Sequence, residues 1–190
     1  FDRLQMANGF PWCVAGAPIV AWAKKVFPGR TENEAMDSLW DAILATVRVT
    51  GDGKAEARWR EHISLLASRK EKLNELHFKS LHYTNSLGTD LTVELPEDHL
   101  WSAGNSVTPK GQSFVANMPT EEIFTAPRRN GVNGTVCAAL PLVYNGSIIE
   151  DIRFTVRDGR IVEAKASRGE DILNAAISVD EGAHYFGEVA

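Results

Sequence analysis

Apolar and polar residues along this chain follow two different periods, and the change between them divides it. Between residues 31 and 76 the apolar positions recur at helical spacing. Thr31-Glu32-Asn33-Glu34 reads as a capping box, in which the Thr hydroxyl and the Glu carboxylate satisfy exposed amides reciprocally. It opens a predicted helix whose apolar positions are Met36, Leu39, Trp40, Ile43, Leu44 and Val47, with Thr50-Gly51-Asp52-Gly53 as its stop. A second predicted helix runs from about Lys54 to Leu76. Trp59, Ile63, Leu66 and Leu73 form its inward stripe, and its Arg, Lys and Glu residues form a solvated face. Ahead of both, residues 12–27 are small and apolar, punctuated by Pro11, Pro18 and Pro28, and predict a buried strand or loop followed by a short helix over Ile19 to Phe27.

From Phe78 onward the period falls to two. Leu91, Val93 and Leu95 alternate with Thr92 and Glu94, a half-buried strand stopped by Pro96. Asn145-Gly146 and Asp158-Gly159 both tolerate the positive φ angles of two-residue turns, so strands near 136–144, 147–157 and 160–166 are expected as an antiparallel meander. Ser167-Arg168-Gly169-Glu170 reads as a further capping box, opening a helix that buries Ile172, Leu173, Ala176 and Ile177. No internal repeat or low-complexity segment interrupts this order. The expected fold class is α+β, mainly helical over residues 1–76 and sheet-rich over 77–190.

Composition narrows the function classes. With 190 residues, 44% hydrophobic and 24% charged, the chain is an ordinary globular sequence that can bury a good core. Its net charge of -5 argues against a nucleic-acid partner. The two cysteines, Cys13 and Cys137, sit in apolar surroundings and read as buried free thiols, and no Cys-x-x-Cys pair supports a thiolate zinc site. Neither a signal peptide nor a membrane span is visible at the start, which makes the cytoplasm the default location and excludes a membrane partner.

The candidate chemistry lies in Asn117-Met118-Pro119-Thr120-Glu121-Glu122-Ile123-Phe124-Thr125-Ala126-Pro127 and in the final Gly187-Glu188-Val189-Ala190. A carboxylate within an apolar, Pro-flanked segment is costly unless a partner charge or a metal compensates it. His184 and Glu188 are four apart and would share a face of a helix, but Gly187 weakens any such helix, and His184 is not taken as a ligand. His62, His77, His82 and His99 are scattered at spacings that suit no ligand set and read as packed or surface residues. Arg128 and Arg129 could hold a substrate carboxylate, although a surface role is the simpler reading.

Those two blocks resemble the thermophilic-type metallo-aminopeptidases, a family of dinuclear-metal exopeptidases. So do Gly131-Val132-Asn133-Gly134-Thr135-Val136, Leu87-Gly88-Thr89-Asp90-Leu91-Thr92-Val93, Leu95-Pro96-Glu97-Asp98-His99-Leu100-Trp101 and Pro18-Ile19-Val20-Ala21-Trp22-Ala23. The resemblance implies that Glu122 binds one metal, that Glu188 bridges both and is thereby catalytic, and that Glu121 is a supporting residue. It implies two divalent ions, zinc or cobalt with magnesium or manganese as options, peptide substrates and a homodimer. The family's remaining ligands, a further Glu, two His and an Asp, together with a catalytic Tyr, follow the Gly-Glu-Val-Ala block. This chain also begins without Met, so the expectation is a fragment, inactive alone. Two rivals use the same carboxylates differently: a glycosidase with Glu122 and Glu188 as acid and nucleophile, and a non-catalytic interaction domain in which both make salt bridges.

Overall fold

The structure, a computed structural model, describes residues 2–190 and is α+β: helices α1 (Asp2–Met6), α2 (Val20–Val26), α3 (Glu32–Thr46) and α4 (Ala55–Leu76) precede the main sheet, and α5 (Glu170–Ile177) follows it. The chain forms two compact units that do not follow chain order. Residues 2–72 and 102–123 make one, and 73–101 with 124–190 make the other.

In the first unit α2 packs on α3 through Ala23, Ala35 and Leu39, with Phe27, Met36 and Ile43 closing around them. Small residues at the contact let the two backbones approach closely. The predicted capping box at Thr31 and Glu34 forms in full, contributing about 1 kcal/mol to the start of α3. That helix stops at Thr46, ahead of the Gly51 and Gly53 stop signals, because the chain turns left-handed at Arg48, with φ 62°. On α4 only Leu66 of the predicted stripe is fully buried, with Trp59, Ile63 and Leu73 half-buried. In place of the buried strand or loop expected ahead of α2, the chain forms an exposed two-residue strand, Val14–Ala15, paired parallel with Asn117–Met118. Cys13 is correspondingly exposed and Cys137 half-buried, so the reading of two buried thiols is corrected, although both are free. Solvent takes the place of the packing partner that the apolar run implied.

The second unit is built on a five-stranded antiparallel sheet whose strands stand side by side in chain order, with long excursions between the second and third and between the third and fourth. Its strands are β1 (Ser80–Thr84), β2 (Asp90–Glu94), β3 (Val132–Cys137), β4 (Arg153–Arg157) and β5 (Arg160–Lys165). Alternation along β2 puts Leu91 and Val93 inward, next to Val132 on β3 and Val156 on β4. Helix α5 lies against β5 and buries Leu173.

The meander forms in part: the expected strand 136–144 is divided into the end of β3 and a separate strand, Leu142–Tyr144. Asn145 and Gly146, and Asp158 and Gly159, all take positive φ in the predicted turns. The segment 147–157 is broken, however, into Ser147–Ile149, which pairs only with Leu142–Tyr144, and β4. Ile149 and Ile152 are both buried although three residues apart, which a strand of period two cannot achieve. The chain reverses its faces at Asp151, with φ 53°. The expected capping box at Ser167 also fails. Ser167 spends its hydroxyl on Glu150 and Asp151, Gly169 becomes the N-cap, and Glu170 reaches back to the Ala166 amide at 3.1 Å.

Candidate metal centre

Glu122 lies in the first unit, four residues past the strand Asn117–Met118, and the two residues before it are held firmly. Arg48 Nη2 donates to Glu121 Oε2 at 2.8 Å, and Nη1 stands 2.7 Å from Oε1, close in charge but poorly aligned for a hydrogen bond. Arg48 Nη2 also lies 3.1 Å from His62 Nδ1. An arginine can only donate, so Nδ1 accepts, and the imidazole proton sits on Nε2, where it is donated to the Thr120 carbonyl at 2.6 Å. The hydrogen bond from Arg48, followed by its charge, holds the Glu121 carboxyl below the ordinary value against the opposing effect of burial.

The local fold explains how Arg48 comes to be there. Val49 N–H bonds the Leu44 carbonyl at 2.8 Å and Arg48 N–H the Ala45 carbonyl at 3.1 Å, the two bonds of a Schellman stop. The residue in the left-handed position of that motif is normally glycine, and any other side chain costs roughly 1 kcal/mol there. Trp59 braces the arrangement: its Nε1–H bonds the Val47 carbonyl at 2.8 Å, and its ring lies 5.4 Å from the Arg48 guanidinium carbon.

Glu188 lies in the second unit on an extended segment after the short turn Gly182–His184. Val189 and Thr125 exchange both backbone hydrogen bonds at 2.9 Å, and Thr125 is itself buried, its hydroxyl donating to the Leu100 carbonyl at 2.9 Å. Tyr185 lies within cation–π range of Arg129 and Arg160, 4.0 and 6.0 Å from its ring centroid. Glu188 borders a cleft of about 320 Å³ whose apolar lining includes Leu91, Val93, Val132, Val136 and Phe186. The helical turn ends at His184 and Tyr185 is extended, so no helix face carries His184 and Glu188 together. Arg128 and Arg129 are engaged with Glu94 and Tyr185.

Glu122 and Glu188 are themselves exposed and make no ion pair or side-chain hydrogen bond among the described residues. Their donor chemistry fits a divalent cation, since both are hard anionic oxygens not already spent. The ligand count does not: among the described residues no group of three or more His, Cys, Asp or Glu could hold a metal ion. Arg48 carries no signal in the sequence, and His62, read there as a packed or surface residue, is packed but with polar partners at Arg48 and Thr120. Their partners lie far along the chain, so no motif spacing marks them.

Known proteins extend this picture. Residues 1–190 match the model of a family described as thermophilic metalloprotease (M29). The chain is 48% identical over 179 residues to aminopeptidase AmpS of Bacillus subtilis (strain 168), covering 94% of this chain and 43% of that one. It is 43% identical over 194 residues to aminopeptidase PepS of Streptococcus thermophilus, covering 100% and 46%. Among solved structures, wild-type AmpT from Thermus thermophilus superposes with a TM-score of 0.86 at 38% identity, over 98% of this chain and 45% of that one. The chain thus spans less than half the length of the curated relatives it matches. It belongs to the thermophilic metalloprotease family, M29. No helix among the described residues is long and apolar enough to cross a membrane.

Proposed function

We propose that this chain works as part of an aminopeptidase that releases N-terminal residues from peptides with two divalent metals, zinc or cobalt, as a cytoplasmic homodimer. Glu122 donates one carboxylate to that centre, and Glu188 takes the bridging position. Magnesium and manganese are the alternative ions. The observation that carries this reading is the unspent state of both carboxylates, in a chain whose other conspicuous acidic residue, Glu121, is already paired.

When bound, the metals supply a Lewis acid for the scissile carbonyl and lower the pKa of water toward about 7. The chain's own residues bind and orient. Glu122 and Glu188 offer hard oxygens, and Glu188 stands at the border of an apolar-lined cleft. Thr125 keeps the Glu188 backbone in place through the pairing with Val189. The test is the metal content of the intact protein by elemental analysis, beside Glu122→Ala and Glu188→Ala. Each variant is expected to lose bound metal and peptide-releasing activity together, and metal content unchanged in both would overturn the reading.

A further inference from the structure

The conformation of Arg48 is one its residue type does not favour, and every polar contact of its side chain leads toward Glu122 without touching it. Resting on the reading of Glu122 as a metal ligand, we propose that Arg48 is a positioning residue: by gripping Glu121 and, through His62, the Thr120 carbonyl, it fixes the backbone that aims the Glu122 carboxylate before metal arrives.

Three observations carry this. A Schellman stop asks only for glycine at the position of Arg48, yet an arginine stands there at φ 62°, so its side chain has a use that the helix end does not explain. The contacts converge on two consecutive residues, with Arg48 on the Glu121 carboxylate at 2.7 and 2.8 Å and His62 on the Thr120 carbonyl at 2.6 Å. Glu122 has no side-chain partner of its own among the described residues, so the contacts that bear on it are those holding the backbone from which it projects. The guanidinium is in turn immobilised over Trp59, whose indole is tied to the residue preceding Arg48. Such outer contacts around a ligand carboxylate tune metal affinity without touching the ion.

Arg48→Gly separates positioning from folding, because glycine suits the left-handed backbone while removing the grip. In the intact protein, cobalt affinity by titration calorimetry is expected to fall about tenfold or more. The melting temperature without metal should stay within a few degrees, and the amides of residues 120–122 should exchange faster. Arg48→Lys, which keeps a charge but not the fork, should fall between the two. If Arg48→Gly folds poorly, Glu121→Gln, which keeps the shape and loses the charge, should weaken cobalt binding in the same direction. Combining Arg48→Gly with Glu121→Ala should cost no more than either alone. Unchanged cobalt affinity in Arg48→Gly and Glu121→Gln, where Glu122→Ala does weaken it, would overturn the positioning role and leave the ligand reading standing. No effect of Glu122→Ala would instead bring down the ligand reading and this inference with it.

Discussion

The segment leading to Glu122 is fixed from outside by side chains, Arg48 and His62, whereas the segment at Glu188 is fixed by its own backbone, which pairs with Thr125 in an antiparallel bridge. The second device is built into the fold: two amide bonds at 2.9 Å, each worth about 1 kcal/mol, survive any side-chain change that leaves the strands in place. The first depends on a single strained arginine. The difference teaches where each candidate ligand is vulnerable. Glu188 is displaced by disturbing the backbone around it, and Glu122 by point changes that leave the fold intact.

The largest expected effect asks whether holding two carboxylates is enough. The 190-residue chain by itself, supplied with excess zinc or cobalt, is expected to release no N-terminal residue at an enzymatic rate. Two carboxylates without imidazoles bind such metals weakly and leave water far from a pKa of about 7. Rates near those of an ordinary enzyme would show that the two segments suffice. In the intact protein, Glu188→Ala should cost more than about 100-fold in activity, beyond the 10 to 100-fold typical of residues outside the ligand set. Glu121→Ala should stay within that range. Equal activity of Glu188→Ala and wild type at saturating metal would remove Glu188 from the centre.

A backbone-held arm should fail through backbone strain. Gly159 takes φ 79°, and a Cβ there would lie 1.7 Å from the Arg129 carbonyl oxygen. Arg129 is the residue whose guanidinium covers Tyr185, so the clash reaches the segment carrying Glu188. Gly159→Ala is expected to destabilise by on the order of 3 kcal/mol or more, measured by urea unfolding. A loss below about 1 kcal/mol would mean that the turn adapts and that the Glu188 arm is softer than its pairing implies.

The contrast between the arms also separates what could be read in the sequence from what could not. Asn145-Gly146 and Asp158-Gly159 were legible because positive φ is a local preference of those residues, and Leu91, Val93 and Leu95 because alternation registers one buried face. The break after Ile149 was not, because it follows from the burial of both Ile149 and Ile152, three residues apart, across the reversal at Asp151. The capping box at Ser167 was misleading for a related reason: Glu150 and Asp151, distant in sequence, compete for its hydroxyl. At the candidate site, Glu122 and Glu188 stood out through their motifs. Arg48 lies at the end of an apolar helical pattern with no glycine before Gly51, and histidine spacing carries no signal of His62, whose partners are Thr120 and Arg48.

The smallest expected effect provides the control for the side-chain arm. Asp52 forms a second two-point pair with arginine in the same unit: Arg58 Nη1 and Nη2 reach its two oxygens at 2.9 and 2.5 Å, and the Lys54 amide adds a bond at 3.0 Å. This pair fastens only the start of α4. The hydrogen bond from Arg58, then that from the Lys54 backbone, holds the Asp52 carboxyl far below the ordinary carboxylate range. A depressed folded pKa means that the pair stabilises fully above the unfolded value of about 3.9 and loses its contribution as pH falls through the folded value. Asp52→Asn should therefore lower the melting temperature slightly at neutral pH and converge with wild type in strong acid, a small effect because the pair is open to solvent. Cobalt affinity of the intact protein should be unchanged by it. If Asp52→Asn weakened cobalt binding as much as Arg48→Gly, the Arg48 grip would be one more staple of the helical unit, and its placement beside Glu122 would carry no meaning for the metal.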